Sequence, residues 1–381
     1  VATKPSNYVK NLKREYDFKI GCSPSDLEES VISYPTPYPT LNFMLSGDFF
    51  GGLQTNRGYM LVGEASSFKS SVALACAASV LRQNPNAIFI GYDSEGVLTL
   101  ENFQKFDINL NQIVKPRKFY DPDELGRLVL NDTLNIIQAK GNEDKTFILV
   151  IDGIGQIGTT TEISRVIEDD VSPQPAVRAK KLNEVARHLL TVINNHNVIL
   201  ITVNHSYQSI GGLYQKSIPS GGTGFVKISD SVILMSAKNI SADKDEETKV
   251  SYGSTFSMKA LKSRSISKDF SLPLDVSYDS GILAYSGLFD LLIRMSSHLK
   301  QVTSQKFSLI SKDGEILEYN KKLDFKRTDV EHSNDFWRFV FKNTSFSDEV
   351  KSKVSLKEKK LIDEKALASW DLISEFSNNS N

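Results

Sequence analysis

Five short apolar runs constrain this chain of 381 residues more than any other feature. They are "GYMLVG" ending at Gly63, "AIFIGYD" ending at Asp93, "TFILVID" ending at Asp152, "VILITVN" ending at Asn204, and "SVILMS" ending at Ser236. Each is too short for a buried helix and is rich in branched aliphatic residues, which predicts strands. Helix-length amphipathic stretches separate them: Lys69 to Arg82, Pro122 to Lys140 with Asp121 as N-cap, and Gln174 to His196. Strands apolar on both faces must be covered on both faces. Alternation with helices supplies that cover and gives a mostly parallel central sheet of α/β class. Ligands of such sheets bind beyond the carboxyl ends of the strands.

Composition excludes some classes. The formal net charge is -1, so any attraction to nucleic acid must come from local basic sites. The two cysteines, Cys22 and Cys76, cannot staple a chain this long, and Cys76 sits in the small-residue run "VALACAAS", where a buried apolar role is expected. No apolar run is long enough to cross a bilayer and the first residues carry no apolar leader core, so a cytoplasmic protein is expected. The run "SYPTPYPT" breaks the chain near residue 33. Three parts are therefore expected: an arm over 1–33, a core over 34–288, and a small α/β or helical domain over 289–381, with a hairpin turning at Asp313-Gly314.

The first strand runs into "GEASSFKSS", Gly63 to Ser71. A strand, a loop opened by glycine and Lys-Ser at a helix start form a phosphate-binding loop, with backbone N–H groups of Gly63, Glu64, Ala65, Ser66, Ser67, Phe68, Lys69, Ser70 and Ser71 facing an anion. In that chemistry Lys69 reaches the terminal phosphates and Ser70 ligates magnesium. The usual pattern has glycine where this chain has Phe68. Phe is tolerable there if its backbone takes an ordinary helical conformation and its ring points away. Other strand ends supply partners. Asp152 can hold the water shell of Mg2+. Glu95, closing "IGYDSE", can orient and deprotonate an attacking water, with Asp93 as the competing candidate. Asn204 and His205 end another strand, where a polar group can sense the terminal phosphate; His205 lacks a second His or Cys at metal-ligand spacing.

Two basic features follow. Arg178, Lys180, Lys181 and Arg187 crowd a predicted helix against one carboxylate, Glu184, and Lys180 and Arg187 share a face. The glycine- and serine-rich segment "HSYQSIGGLYQKSIPSGGTG" carries Tyr207, suited to stacking on bases, and Gly221 and Gly222, whose backbone N–H groups suit a phosphate.

In order along the chain, "LSGDFFGG", "SFKS", "YDSE", "RAKK", "VNH", "SGGTG", "LKSR" and "YSGL" resemble the motifs of the RecA family of recombinases, its phage members in particular. The likeness spans roughly residues 34 to 290. It implies a RecA-like P-loop ATPase core that uses ATP and Mg2+, assembles into helical filaments on single-stranded DNA, and pairs that strand with homologous duplex DNA in recombination, repair and replication. A single-strand-binding protein and a mediator are implied partners, and a phage-encoded member would act in its bacterial host. The resemblance places two DNA loops at about Gly155 to Pro175 and Ser206 to Ser220; acidic residues in the first sit poorly with DNA. It implies that Phe103, with Phe106 as alternative, stacks on adenine, and that the arm docks on a neighbouring subunit. It also implies that Lys262 and Arg264, on one side of an apparent strand, reach a neighbour's γ-phosphate. A ring-forming RecA-fold helicase and a regulatory ATP-binding module without a DNA role are the alternatives.

Overall fold

The computed structural model describes residues 31–155, 157–159, 175–208, 217–238 and 253–356. The first 30 residues of the expected N-terminal arm, with Cys22, most of the first loop, the middle of the second and the last residues lie outside this set. From Ser33 the described chain forms one compact unit.

Its centre is a ten-stranded sheet. In chain order the strands are β1 (Arg57–Gly63), β2 (Ile88–Asp93), β3 (Ile113–Lys118), β4 (Phe147–Asp152), β5 (Val198–Gln208), β6 (Ser217–Pro219), β7 (Ser231–Lys238), β8 (Gly253–Ser263), β9 (Ser271–Ser277) and β10 (Gly281–Ile282). Across the sheet they run β10-β9-β8-β7-β1-β5-β4-β2-β3, with β6 paired to β5. The run from β7 to β3 is parallel and holds all five predicted strands. The extension from β8 to β10 is antiparallel.

Alternate side chains of the parallel strands feed two cores. Tyr59, Leu61, Ile148, Val150, Ile199 and Ile201 face a layer that includes helix α1 (Lys69–Gln83). Met60, Val62, Leu149, Ile151, Val198 and Leu200 face helix α2 (Pro175–Asn195), which contributes Leu182, Val185, Ala186 and Leu189. This is the double cover that the apolar runs require. The helix expected over Pro122 to Lys140 is not uniform: an α-turn over Pro122–Arg127 gives way to a π-helix over Leu128–Thr133. The buried hydroxyl of Tyr92 explains the widening. It donates to the Leu128 carbonyl at 3.0 Å and lies 2.7 Å from the Thr133 hydroxyl, taking up groups that an α-helix would use otherwise.

Helix α3 (Gly224–Ile228) joins β6 to β7. After Leu288 come helices α4 (Leu288–Met295), α5 (Asn334–Asn343) and α6 (Phe346–Val354) and a four-stranded antiparallel sheet that includes the predicted hairpin, Lys306–Ile310 against Ile316–Leu317. Its aromatic side chains, among them Phe336, Trp337 and Phe346, are continuous with the first core through Phe49, which stacks on Phe346 with ring centroids 5.6 Å apart.

Candidate nucleotide-binding and catalytic site

Sheet register brings the predicted chemistry together. Gly63 pairs with His205, Val62 with Asn204, Asp93 with Asp152, and Asp152 with Val203. β1, β4 and β2 thus end beside Val203 to His205 of β5, and Lys69, Glu95, Asp152 and His205 lie along that edge, whereas Lys262 and Arg264 lie beside the start of β7.

The phosphate loop leaves β1 at Gly63, where a Cβ would collide with the Met235 carbonyl and the Ser67 hydroxyl. Glu64, Ala65 and Ser66 are exposed, whereas Lys69 is buried. The Lys69 ammonium donates to the Glu64 carbonyl at 2.6 Å and to Ser67 Oγ at 3.1 Å. Burial lowers its pKa, and Glu95 and Asp152 partly oppose that shift. Ser70 and Ser71 lie in the first turn of α1, where helical N–H groups lack intrahelical acceptors.

Phe68 departs from the expected conformation. Its φ is +66° and ψ 14°, in the left-handed region rather than the helical one. The loop keeps the backbone that glycine would supply, at a cost of about 1–2 kcal/mol for a residue with a side chain. Its ring stacks on Phe256 of β8 at 5.2 Å and 18°, a pairing worth about 0.5–1.5 kcal/mol beyond burial. The aromatic pair offsets the strain.

Asp152 is 1% exposed, and neither carboxylate oxygen finds a well-formed hydrogen bond among the described residues. Burial pushes its carboxyl up to about 7; the Ser70 hydroxyl pulls it down, Glu95 and Asp93 push it further up, and Lys69 pulls it down. A buried acid beside a serine hydroxyl at a helix start fits a magnesium ion held by Ser70 and Asp152.

Glu95 stands across from it. Its Oε1 is 2.8 Å from Nε2 of His205. Gly153 leaves the space it needs, because a Cβ at that position would overlap the Glu95 carboxylate. Asp93 is committed elsewhere: it accepts from the backbone N–H groups of Glu95, Gly96 and Leu98 at 3.0, 2.8 and 2.9 Å. Asp93 thus shapes the turn, and Glu95 projects from it toward His205. Ser94 stitches the turn to β4, donating to the Gly153 carbonyl at 2.6 Å. Asn204 is fully buried and donates to the Ser220 carbonyl at 2.9 Å, which ties the root of the second loop to this edge.

The adenine-stacking expectation meets a contrary placement. Phe103 is 4% exposed and packs edge-on against Phe89, centroids 5.5 Å apart. A ring enclosed in the core offers no face to a base. Phe106 is only partly buried and lines an open cleft with Tyr38, Arg82 and Asp107.

The RecA N-terminal domain family matches residues 27–283, which is most of the chain and the whole of this site. The chain belongs to the RecA family. It is 26% identical over 319 residues to the Recombination and repair protein of Enterobacteria phage T4, covering 83% of this chain and 77% of that protein. It is 24% identical over 293 residues to Protein RecA of Ehrlichia ruminantium, covering 77% and 73%. Protein RecA of Caulobacter vibrioides matches at 25% over 244 residues, covering 64% of each chain.

The RecA-family resemblance also nominated DNA-facing and junction residues. Lys180 and Arg187 are exposed on the same face of α2. Lys181 pairs with Asp123, and Arg178 turns inward to donate to the Ile157 carbonyl at 3.3 Å. Tyr207 is 54% exposed. Gly221 and Gly222 have φ of +76° and +88° and press against α2, where a Cβ would crowd Leu182 and Ala179. Their glycine requirement is met by packing and backbone shape.

Lys262 and Arg264 do not share one side of a regular strand. The register slips between Ala260 and Lys262, and β8 ends at Ser263. Lys262 donates to the carbonyls of Val226, Lys227 and Ser229 at 2.9, 3.0 and 2.6 Å. Arg264 pairs with Asp230 at 3.0 Å and remains 62% exposed. Sequence reading missed Gly153, Phe256 and Asp230. Gly153 directly follows the strand-end Asp152, a position that could have drawn attention to it, but nothing local signals the other two.

Proposed function

We propose that this RecA-family chain is a DNA-dependent ATPase that assembles on single-stranded DNA and catalyses homologous pairing and strand exchange. The observation that carries the catalytic part is the Glu95–His205 contact, with the buried Asp152 on the intervening strand and the Lys69-Ser70 helix start beside it. The recombination part rests on family membership and on the relatives described above.

In this reading the loop backbone and Lys69 bind the phosphates of ATP, and Ser70 and Asp152 hold Mg2+. The ion, when bound, neutralises charge on the phosphates. Glu95 takes the proton of the attacking water. His205 fixes the rotamer of that carboxylate and lies at the root of the loop that carries Tyr207, so strand contact at the loop bears on the base. Lys180 and Arg187 supply phosphate contacts along the DNA, and Arg264 with Lys262 supplies positive charge to a neighbouring subunit's nucleotide.

The test measures ATP hydrolysis with and without single-stranded DNA, together with joint-molecule formation between that strand and a homologous duplex. Stimulated hydrolysis with joint molecules is expected. Unwound duplex without joint molecules would replace this reading with a motor, and hydrolysis indifferent to DNA would replace it with a regulatory module.

A further inference from the structure

We propose that Asp230 is a positioning residue: it holds Arg264, and together with the carbonyls that hold Lys262 it makes one rigid corner linking the second loop to both cations. This rests on the reading above that Arg264 acts across a subunit junction.

The corner is the segment from Val226 to Asp230, which closes α3 and opens β7. The last carbonyls of a helix lack intrahelical donors and carry the negative end of its dipole. Lys262 satisfies three carbonyls of this corner at once. The slip in β8 between Ala260 and Lys262 alters the aim of the residues that follow it.

Asp230 itself is fixed from the other side. Its backbone N–H donates to the Gly58 carbonyl at 2.7 Å, and its Oδ2 accepts from the Gly58 N–H at 3.2 Å. Arg57 stands 3.9 Å from Oδ1. Gly58 lies in β1, the strand that runs into the phosphate loop. The Arg264 backbone N–H donates to the Asp230 carbonyl at 3.1 Å, and its Nη1 pairs with Oδ1. One nitrogen is engaged on a guanidinium that offers five donors, and the side chain is mostly exposed, so it can still meet an anion outside the protomer.

Asp230 also separates what would otherwise repel. Lys262 and Arg264 carry like charge two residues apart, and the Asp230 carboxylate attracts both. Without it Arg264 keeps its charge but loses its direction. Gly221 and Gly222 lie just before α3 and pack on α2, which places the end of the second loop one short helix away from the corner that holds both cations.

Asp230→Asn keeps the shape and the acceptor for Gly58 but removes the charge that holds Arg264. It is expected to lower DNA-stimulated kcat roughly 10- to 100-fold, the scale of a misplaced catalytic group. KM for ATP and affinity for single-stranded DNA should stay within about twofold of wild type, since Asp230 touches neither. Asp230→Glu should recover part of the loss. A thermal melt of each variant separates misfolding from misplacement. The effect is also read on the residual activity of an Arg264→Gln background, which leaves no charge for Asp230 to hold, and there Asp230→Asn should add little if it acts through Arg264. A full additional loss there would overturn the proposal. Wild-type kcat for Asp230→Asn beside an inactive Arg264→Ala would also overturn it, while leaving the role of Arg264 standing. If Arg264→Ala itself turns over normally, the reading beneath it fails too.

Discussion

The Glu95 carboxylate and the His205 imidazole meet at 2.8 Å across the end of the strand between them, β4, which carries Asp152. A carboxylate held by a histidine at the root of a loop is oriented by that contact, and as the proposed base it would feel what the loop does. Glu95→Gln is expected to bind ATP with near wild-type affinity and to lose about 10²- to 10⁴-fold in turnover. His205→Ala, which frees the carboxylate without removing it, should cost less. Equilibrium binding of a fluorescent nucleotide and single-turnover hydrolysis separate the two effects. Near wild-type hydrolysis by Glu95→Gln would remove it as the base.

Phe68 makes an unusual stability prediction. At an ordinary helical position alanine is more favourable than glycine by about 1 kcal/mol. At a φ of +66° the order should invert. Phe68→Ala keeps the strain and loses the stack on Phe256, whereas Phe68→Gly loses both. Phe68→Gly should therefore melt above Phe68→Ala, with nucleotide affinity close to wild type. An alanine variant that melts higher would mean the left-handed backbone is not required.

Asp152 gives a pH dependence. Its carboxyl is raised by burial to about 7 from an ordinary value of 3.8. A raised carboxyl favours the folded state while protonated. That contribution is complete below about pH 4 and is lost as pH rises through 7. Asp152→Asn, neutral at every pH, should stabilise the nucleotide-free, magnesium-free protein at pH 8 by at most about 4 kcal/mol, and by nearly nothing at pH 4. The same variant should weaken magnesium-dependent ATP binding. Denaturant titrations at the two pH values check the first statement, and nucleotide affinity with and without Mg2+ checks the second.

Much of this site was legible because a parallel sheet converts order along the chain into place. Gly63, Glu95, Asp152 and Asn204 each follow an apolar run, and such runs end together. What the residues could not reveal depends on backbone angles and distant partners. The φ of Phe68 is unusual for its side chain, and its compensating ring, Phe256, comes from β8, far along the chain. Phe103 looked available because it follows the turn that carries Glu95, but the helix from Leu100 to Lys105 turns that ring inward against Phe89. The π-helix around Tyr92 breaks the 3.6-residue period on which helix reading rests. Lys262 and Arg264 were read on a regular strand, and one slipped residue pair gave them different partners.

The proposed DNA face of α2 can be tested by charge. Lys180 is exposed, whereas Lys181 is paired with Asp123. Each lysine that neutralises a phosphate contributes about 0.7 to the log–log salt slope for single strands. Lys180→Ala and Arg187→Ala should each flatten the slope by about that amount, evenly across sequences. Lys181→Ala should leave it nearly unchanged. Equal slopes for wild type and Lys180→Ala would return that face to solvent.

Arg264 offers the sharpest test of how assembly and chemistry are joined. Its side chain is mostly exposed, and its partner Asp230 lies at the α3–β7 corner, outside the strand-end cluster. A cation of this class at a neighbour's phosphate is worth about a thousandfold or more in rate. Arg264→Ala should fold and bind ATP but lose DNA-stimulated turnover. Glu95→Gln should fail for a different reason, at its own nucleotide. Mixed on single-stranded DNA, the two inactive proteins form junctions at which one subunit brings an intact Glu95 and the other an intact Arg264. Those junctions should hydrolyse ATP, and activity should peak near equal proportions and disappear without DNA. A mixture that stays inactive, although both proteins are found in the same filaments, would show that Arg264 does not complete a neighbour's site.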